Sequence, residues 1–216
     1  MKNIINMLEK AASKVEGAGF VKQAKGLDSV ANTLDVYAAT DSHYVQEFNR
    51  LNLKLYLDMD GVITEWIGHY NKLTGQNVPY VYDDSFQNQI DWEGVVDKVE
   101  FWTEMPWTKD GKMLWDVMSV YDPIILSKPT MKDSSRVGKK VWVERELPDG
   151  IEVILDRDKS KYANSTSILI DDDPRNIAAW EEAGGKGIRH TDTVSTIKAF
   201  KEYIDNSMHI PGDREL

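Results

Sequence analysis

The stretch Leu53-Lys54-Leu55-Tyr56-Leu57-Asp58-Met59-Asp60-Gly61-Val62-Ile63-Thr64 decides how this chain folds. Its apolar part, Leu53 to Leu57, reads as a buried strand, and it ends in two aspartates two residues apart, followed by a glycine that can turn the chain. An Asp-Gly pair alone would be an ordinary solvated turn. Similar runs recur downstream, at Pro123 to Leu126, Ile151 to Leu155, Ser167 to Ile170 and Gly187 to Arg189. Apart from one long gap, the segments between them mostly look helical, which is the pattern of a parallel α/β sheet. Ligands in such sheets bind beyond the carboxyl ends of the strands, and there this sequence collects its polar groups. The second run ends in Ser127-Lys128-Pro129. The run from Ser167 leads into Asp171-Asp172-Asp173-Pro174, with Lys159 and Lys161 upstream and a proline placed to start a helix. Three strand ends thus deliver Asp-x-Asp, Ser, Lys and Asp-Asp, in that order.

In that order the motifs resemble those of the haloacid dehalogenase (HAD) superfamily of phosphohydrolases, over roughly Leu53 to His190. Asp58 and Asp60 fall on its first motif, Ser127 on the second, a lysine on the third, and Asp171 with Asp172 on the fourth. Within the superfamily, DMDGV, FWTEMPW, the stretch from ILSKP to KKVWVE, and LIDDDPRNI are similar to the 5'(3')-deoxyribonucleotidases and type C 5'-nucleotidases, in a phage or bacterial version. The resemblance implies an α/β fold: a Rossmann-like parallel sheet with a small, mainly helical cap inserted after the first strand. It also implies a phosphomonoesterase in which Asp58 is the nucleophile, forming an aspartyl-phosphate, and Asp60 is the acid and base. Ser127 and the third-motif lysine would hold the phosphoryl oxygens, and Asp171 and Asp172 would complete a metal site with Asp58 and the Asp60 backbone carbonyl.

Electrostatics agrees with those roles. A phosphate dianion beside four aspartates is repelled by about 4 kcal/mol for each close like-charge pair at 4 Å and an effective dielectric of 20. A divalent cation is required, and an all-oxygen site with no soft ligand suits magnesium. The lysine is open between two positions. Lys161, ten residues before Asp171, has the spacing the deoxyribonucleotidases favour and is preferred; Lys159 has the family's Arg-Asp-Lys wording. Lys128 is a further phosphate-binding candidate or a surface ion pair. Lys139, in a helix predicted to begin near Asp133 and Ser134, is expected to be exposed. The four histidines lack ligand spacing with one another and carry no assigned chemistry.

Between the first two runs lie far more residues than one crossover helix requires. The insertion, about 64–100, is rich in aromatics: Trp66, Tyr70, Tyr80, Tyr82, Phe86 and Trp92, with Phe101 and Trp102 just beyond. A lid here would set substrate choice, with Trp66, Phe101 and Trp102 as candidate walls for a nucleobase, or as plain packing. The expected substrate is a small phosphate ester, most naturally a nucleoside monophosphate. Another small ester, a nucleic-acid end, or a binding protein on an inactive scaffold would keep the same motifs.

The chain has 216 residues, 41% of them hydrophobic and 29% charged, with a formal charge of -10 and no cysteine. One core domain with an accessory piece fits that length. Disulfides, zinc-thiolate sites and cysteine catalysis are excluded. The acidity disfavours nucleic acid and anionic lipid as partners. No apolar run is long enough for a membrane span or signal peptide, so a cytoplasmic protein is expected. The first fifty residues are charge-balanced and read as a helical hairpin appendage over 1–49, joined by a polar stretch, Ala39 to Asn49, to the phosphatase domain over 50–216. The hairpin is a candidate surface for a partner or for self-association.

Overall fold

The computed structural model describes residues 2–79 and 88–208. It divides into two compact units, Leu51–Thr193, and Met1–Arg50 together with Val194–Leu216.

The larger unit is built on five parallel strands: β1 (Lys54–Leu57), β2 (Ile124–Ser127), β3 (Val153–Leu155), β4 (Ser167–Asp171) and β5 (Lys186–Arg189). Their spatial order, β3-β2-β1-β4-β5, places β1 at the centre. Each strand falls on one of the five apolar runs. β1 and β4 pair in register from Lys54 with Ser167 to Leu57 with Ile170, so Asp58 and Asp171 leave the sheet side by side. Every residue of β4 is buried, as expected of a central strand covered on both faces. One face carries Tyr56, Leu126 and Leu169 against Trp180, with Tyr56 and Trp180 in an edge-on contact at 5.2 Å between centroids.

The helices of this unit are α4 (Trp66–Thr74), α5 (Val99–Thr103), α6 (Gly111–Met118), α7 (Asp133–Glu146) and α8 (Pro174–Glu182). α4, α5 and α6 all lie between β1 and β2; of the insertion itself, the described residues hold α4, the 3-10 turn Val95–Asp97 and the start of α5, and 75–79 and 88–94 are irregular. Tyr80, Tyr82 and Phe86 lie outside the described residues. Capping is local and legible: Glu65 accepts from Gly68 N at the start of α4, and Asp173 accepts from Arg175 N ahead of Pro174 in α8. α7 buries Ser135, Gly138, Lys139, Trp142 and Val143, a stripe at helical spacing. Gly138 is required there, because an added Cβ would come within 2.6 Å of the Val99 carbonyl oxygen in α5.

The smaller unit is helical: α1 (Lys2–Gly17), α2 (Val21–Tyr37), α3 (Ser42–Arg50) and α9 (Thr193–Ser207). α1 and α2 form the expected hairpin about Gly19, whose φ of +88° needs a glycine. Buried Ala12, Ala24 and Ala31 make up much of the small-residue interior of these two helices. Two expectations are corrected. The polar stretch after the hairpin is not a linker but contains α3, whose Phe48 is buried against Phe200 of α9 at 6.0 Å. The accessory unit therefore includes α9 as well as the first three helices. Among the described residues, no helix is long and apolar enough to cross a membrane.

Candidate functional site

The site starts where β1 ends. Gly61, at φ +79°, reverses the chain within three residues of Asp58, and the Ile63 and Thr64 amides close the turn on the Met59 carbonyl at 2.9 and 2.8 Å. This turn holds Asp58 and Asp60 at the strand end while burying Met59 between them. Asp58 is fastened to the neighbouring strand by its own amide, which donates to Ile170 O at 3.0 Å. Asp171 ends β4 fully buried; its carboxylate accepts from the Asp173 amide at 2.9 Å and from Asn176 Nδ2 at 3.0 and 3.1 Å. Buried oxygens of Asp58, Asp171 and Asp172 lie within 4.8 Å of one another, a cluster that could hold a metal ion.

Two lysines meet these carboxylates. Lys159 Nζ stands 2.6 Å from Asp171 Oδ2 and 2.7 Å from Asp58 Oδ1. Burial would lower its pKa, but the charges of Asp171 and Asp58 outweigh burial and hold the ammonium above the usual lysine range. Burial also raises the Asp171 carboxyl, against the pull of Lys159 and with the repulsion of Asp58. Lys139, fully buried on α7, donates to Asp60 Oδ2, to Ser127 Oγ at 2.8 Å and to the Lys128 carbonyl at 3.0 Å. Its ammonium also lies 5.1 Å from the Trp102 ring centroid. Asp60 is steered further by Thr64 Oγ1, which donates to its Oδ1 at 3.2 Å.

These contacts correct two sequence expectations. Lys161 stays out of the site: it is exposed and pairs with Asp156 at 3.3 Å, while Lys159 takes the place between the first and last aspartates. The 3-10 turn Lys159–Tyr162 separates the two side chains, turning Lys159 inward and Lys161 to solvent. Lys139 is buried rather than exposed. Its signal was in the sequence, since it sits on the same stripe of α7 as Gly138, Trp142 and Val143.

A cavity of about 390 Å³ opens over these groups, lined by Asp58, Asp60 and Asp172 on its floor and by Trp66, Trp92 and Trp102 on one wall. Trp66 stacks on Trp102 at 6.3 Å and meets Trp92 at 6.1 Å. Of the expected wall residues, Phe101 is not among those lining the cavity; it packs against His69 at 5.1 Å and edge-on to Trp102. Trp92 does line it. Lys128 lines the cavity too, where partial desolvation, with repulsion from Lys159, Arg157 and Arg175, lowers its pKa.

The donor set fits a hard divalent cation. The carboxylates of Asp58, Asp171 and Asp172 crowd together in a buried cluster, and buried charge is expensive unless it is paired or coordinated. Asp58 Oδ1 is buried and accepts no hydrogen bond; Lys159 meets it as a charge contact, not as an aligned donor. All available ligands are oxygens. No protein-family model matches the chain, and no curated protein matches it.

Proposed function

We propose that this chain is a magnesium-dependent phosphomonoesterase of the HAD type, working through an aspartyl-phosphate on Asp58 and acting on nucleoside monophosphates. The observation that carries the reading is the convergence of Asp58, Asp60, Ser127, Lys159 and the Asp171-Asp172 pair at neighbouring strand ends beneath one cavity. In this reading the helical segment between β1 and β2 is the cap, and its three tryptophans face the base.

Asp58, Asp171 and Asp172 would hold magnesium, which when bound would supply positive charge against the phosphoryl oxygens. Asp58 attacks phosphorus: its oxygen-phosphorus bond forms as the ester bond breaks, and Asp60 gives a proton to the departing alcohol oxygen. Water then attacks the same phosphorus, Asp60 takes its proton, and inorganic phosphate leaves with Asp58 regenerated. Ser127 Oγ and the Lys159 ammonium bind the phosphoryl oxygens, in a pocket whose charges are fixed before substrate arrives. Lys139 holds Ser127 and Asp60 in place. Asn176 and the Asp173 amide hold Asp171.

The test is phosphate release from a panel of ribo- and deoxyribonucleoside monophosphates and simple esters. Release with magnesium, none in excess chelator, and none from a folded Asp58→Asn variant are expected. Robust activity in chelator, or an active Asp58→Asn protein, would overturn the reading.

A further inference from the structure

The floor of the cavity accounts for two of the cations near it, and the rim for two more. Lys159 is locked to buried Asp58 and Asp171, and Lys139 to the partly buried Asp60. On the rim, Lys132 pairs with Asp97 at 3.4 Å, and Arg175 grips Asp173 with a fork of Nε and Nη2 contacts at 2.8 to 3.2 Å. Two cavity-lining cations remain. Among the described residues, neither Lys128 nor Arg157 pairs with a carboxylate. Arg157 instead donates from Nη1 to the Pro129 carbonyl at 3.1 Å, which fastens its guanidinium to the loop beside Lys128. The Lys128 carbonyl is in turn held by Lys139. Two backbone anchors thus keep two unpaired cations on adjacent parts of one rim. Asp173, whose charge Lys128 feels, is already committed to Arg175 and to capping α8.

We propose that Lys128 and Arg157 form a second anion subsite, so that the preferred substrate is a phosphomonoester carrying another phosphoryl group besides the one removed. This rests on the phosphomonoesterase reading and narrows its substrate class. The scissile phosphoryl group has its own partners on the buried floor. Lys128 and Arg157 are exposed on the rim, out of that inner layer. A cavity of about 390 Å³ has room for a whole small molecule spanning floor and rim, within the usual range for ligand pockets. Arginine offers a planar fork suited to phosphate, and a lysine ammonium adds a point charge. The repulsion of Lys128 by Lys159, Arg157 and Arg175 is what an incoming anion would relieve.

The experiment measures equilibrium binding by calorimetry, using the full-length Asp58→Asn protein with magnesium so that nothing is turned over. The probes are a nucleoside 5'-monophosphate, its 3',5'-bisphosphate and 3-phosphoglycerate. One charged hydrogen bond contributes about ten- to a hundred-fold in affinity, so the bisphosphate should bind tighter than the monophosphate by that factor. Arg157→Gln, and separately Lys128→Met, should collapse the ratio toward unity. Tight binding of 3-phosphoglycerate that is lost in the same variants would support the subsite and extend it to carboxylates; weak binding would support it as selective for phosphoryl groups. Equal affinity for the two nucleotides, or a ratio untouched by both variants, would overturn it. Hydrolysis of p-nitrophenyl phosphate by the wild-type protein is followed in parallel. If that ester is cleaved while the binding ratio is unity, the subsite fails and the phosphatase reading stands.

Discussion

Beneath the floor of the cavity, Lys139 and Lys159 are 0% and 3% exposed, and each is tied to carboxylates delivered by strand ends. At the wall, Trp66 meets both Trp92 and Trp102 ring to ring, on segments between β1 and β2. The two regions border the same space but differ in what they tolerate. Removing one member of the floor leaves a buried charge uncompensated, which is costly however the neighbours relax. Removing a ring from the wall forfeits area and stacking, and leaves the charges as they were. If the proposed phosphatase activity holds, chemistry should therefore fail as a unit at the floor, whereas substrate choice should be adjustable at the wall.

The sharpest way to break this contrast is at two lysines two residues apart. Lys159→Ala should lower kcat/KM by about a hundred- to a thousand-fold for every ester, the scale for losing one preorganised donor of charge. Lys161→Ala, at an exposed pair with Asp156, should change it by less than about two-fold. Equal effects would mean that the inward turn of Lys159 has no catalytic meaning. Next in size is the response to cation. If the buried cluster of Asp58, Asp171 and Asp172 holds a divalent ion, magnesium at about 100 times its Kd adds about 2.7 kcal/mol, or roughly 5 to 10 °C in Tm for a chain of this size. Asp172→Asn should shrink that shift, and thermal scans with and without magnesium read it directly. A wild-type Tm indifferent to magnesium would remove the cation from the floor.

The wall is tested by a ratio. Stacking a base contributes about 1 to 3 kcal/mol, so Trp66→Ala should lose roughly five- to a hundred-fold in kcat/KM on a nucleotide and little on p-nitrophenyl phosphate. Trp66→Leu, which keeps more of the packing, covers the case in which the alanine variant does not fold. A uniform loss on both substrates would make the tryptophan a packing residue. The smallest effect lies away from the cavity lining, where Trp107 Nε1 donates to Glu146 Oε2 at 2.8 Å and Trp107 packs on Trp142 at 4.9 Å. The Trp107 hydrogen bond, and then the neighbouring Arg145, hold the Glu146 carboxyl below its ordinary value of 4.5. Its folded-state pKa is therefore lower than its unfolded one. The stability it adds is present above about pH 4.5 and fades as pH falls through the lowered value. Glu146→Gln should flatten the acid side of a urea-midpoint profile by at most about 1 kcal/mol. An unchanged slope would show that this bond contributes nothing.

The sequence by itself determined the five strands, their parallel α/β character and the carboxylates at the ends of β1 and β4. Each is a local property: an apolar run, a break, a polar residue just past the last buried one. The hairpin of α1 and α2 was legible for the same reason. Tertiary structure alone decided which lysine enters the site, because Lys159 and Lys161 have the same chemistry and nearly the same position, and only the turn they share separates inside from outside. It also decided that α9 belongs with the first helices, since Phe200 lies over 150 residues from Phe48 and no local pattern links them. Lys139 stands between these cases. The stripe of α7 marked its position as buried, but only its three partners, from β2 and from the loops that follow β1 and β2, make a buried ammonium tolerable, and their convergence is a fact of folding.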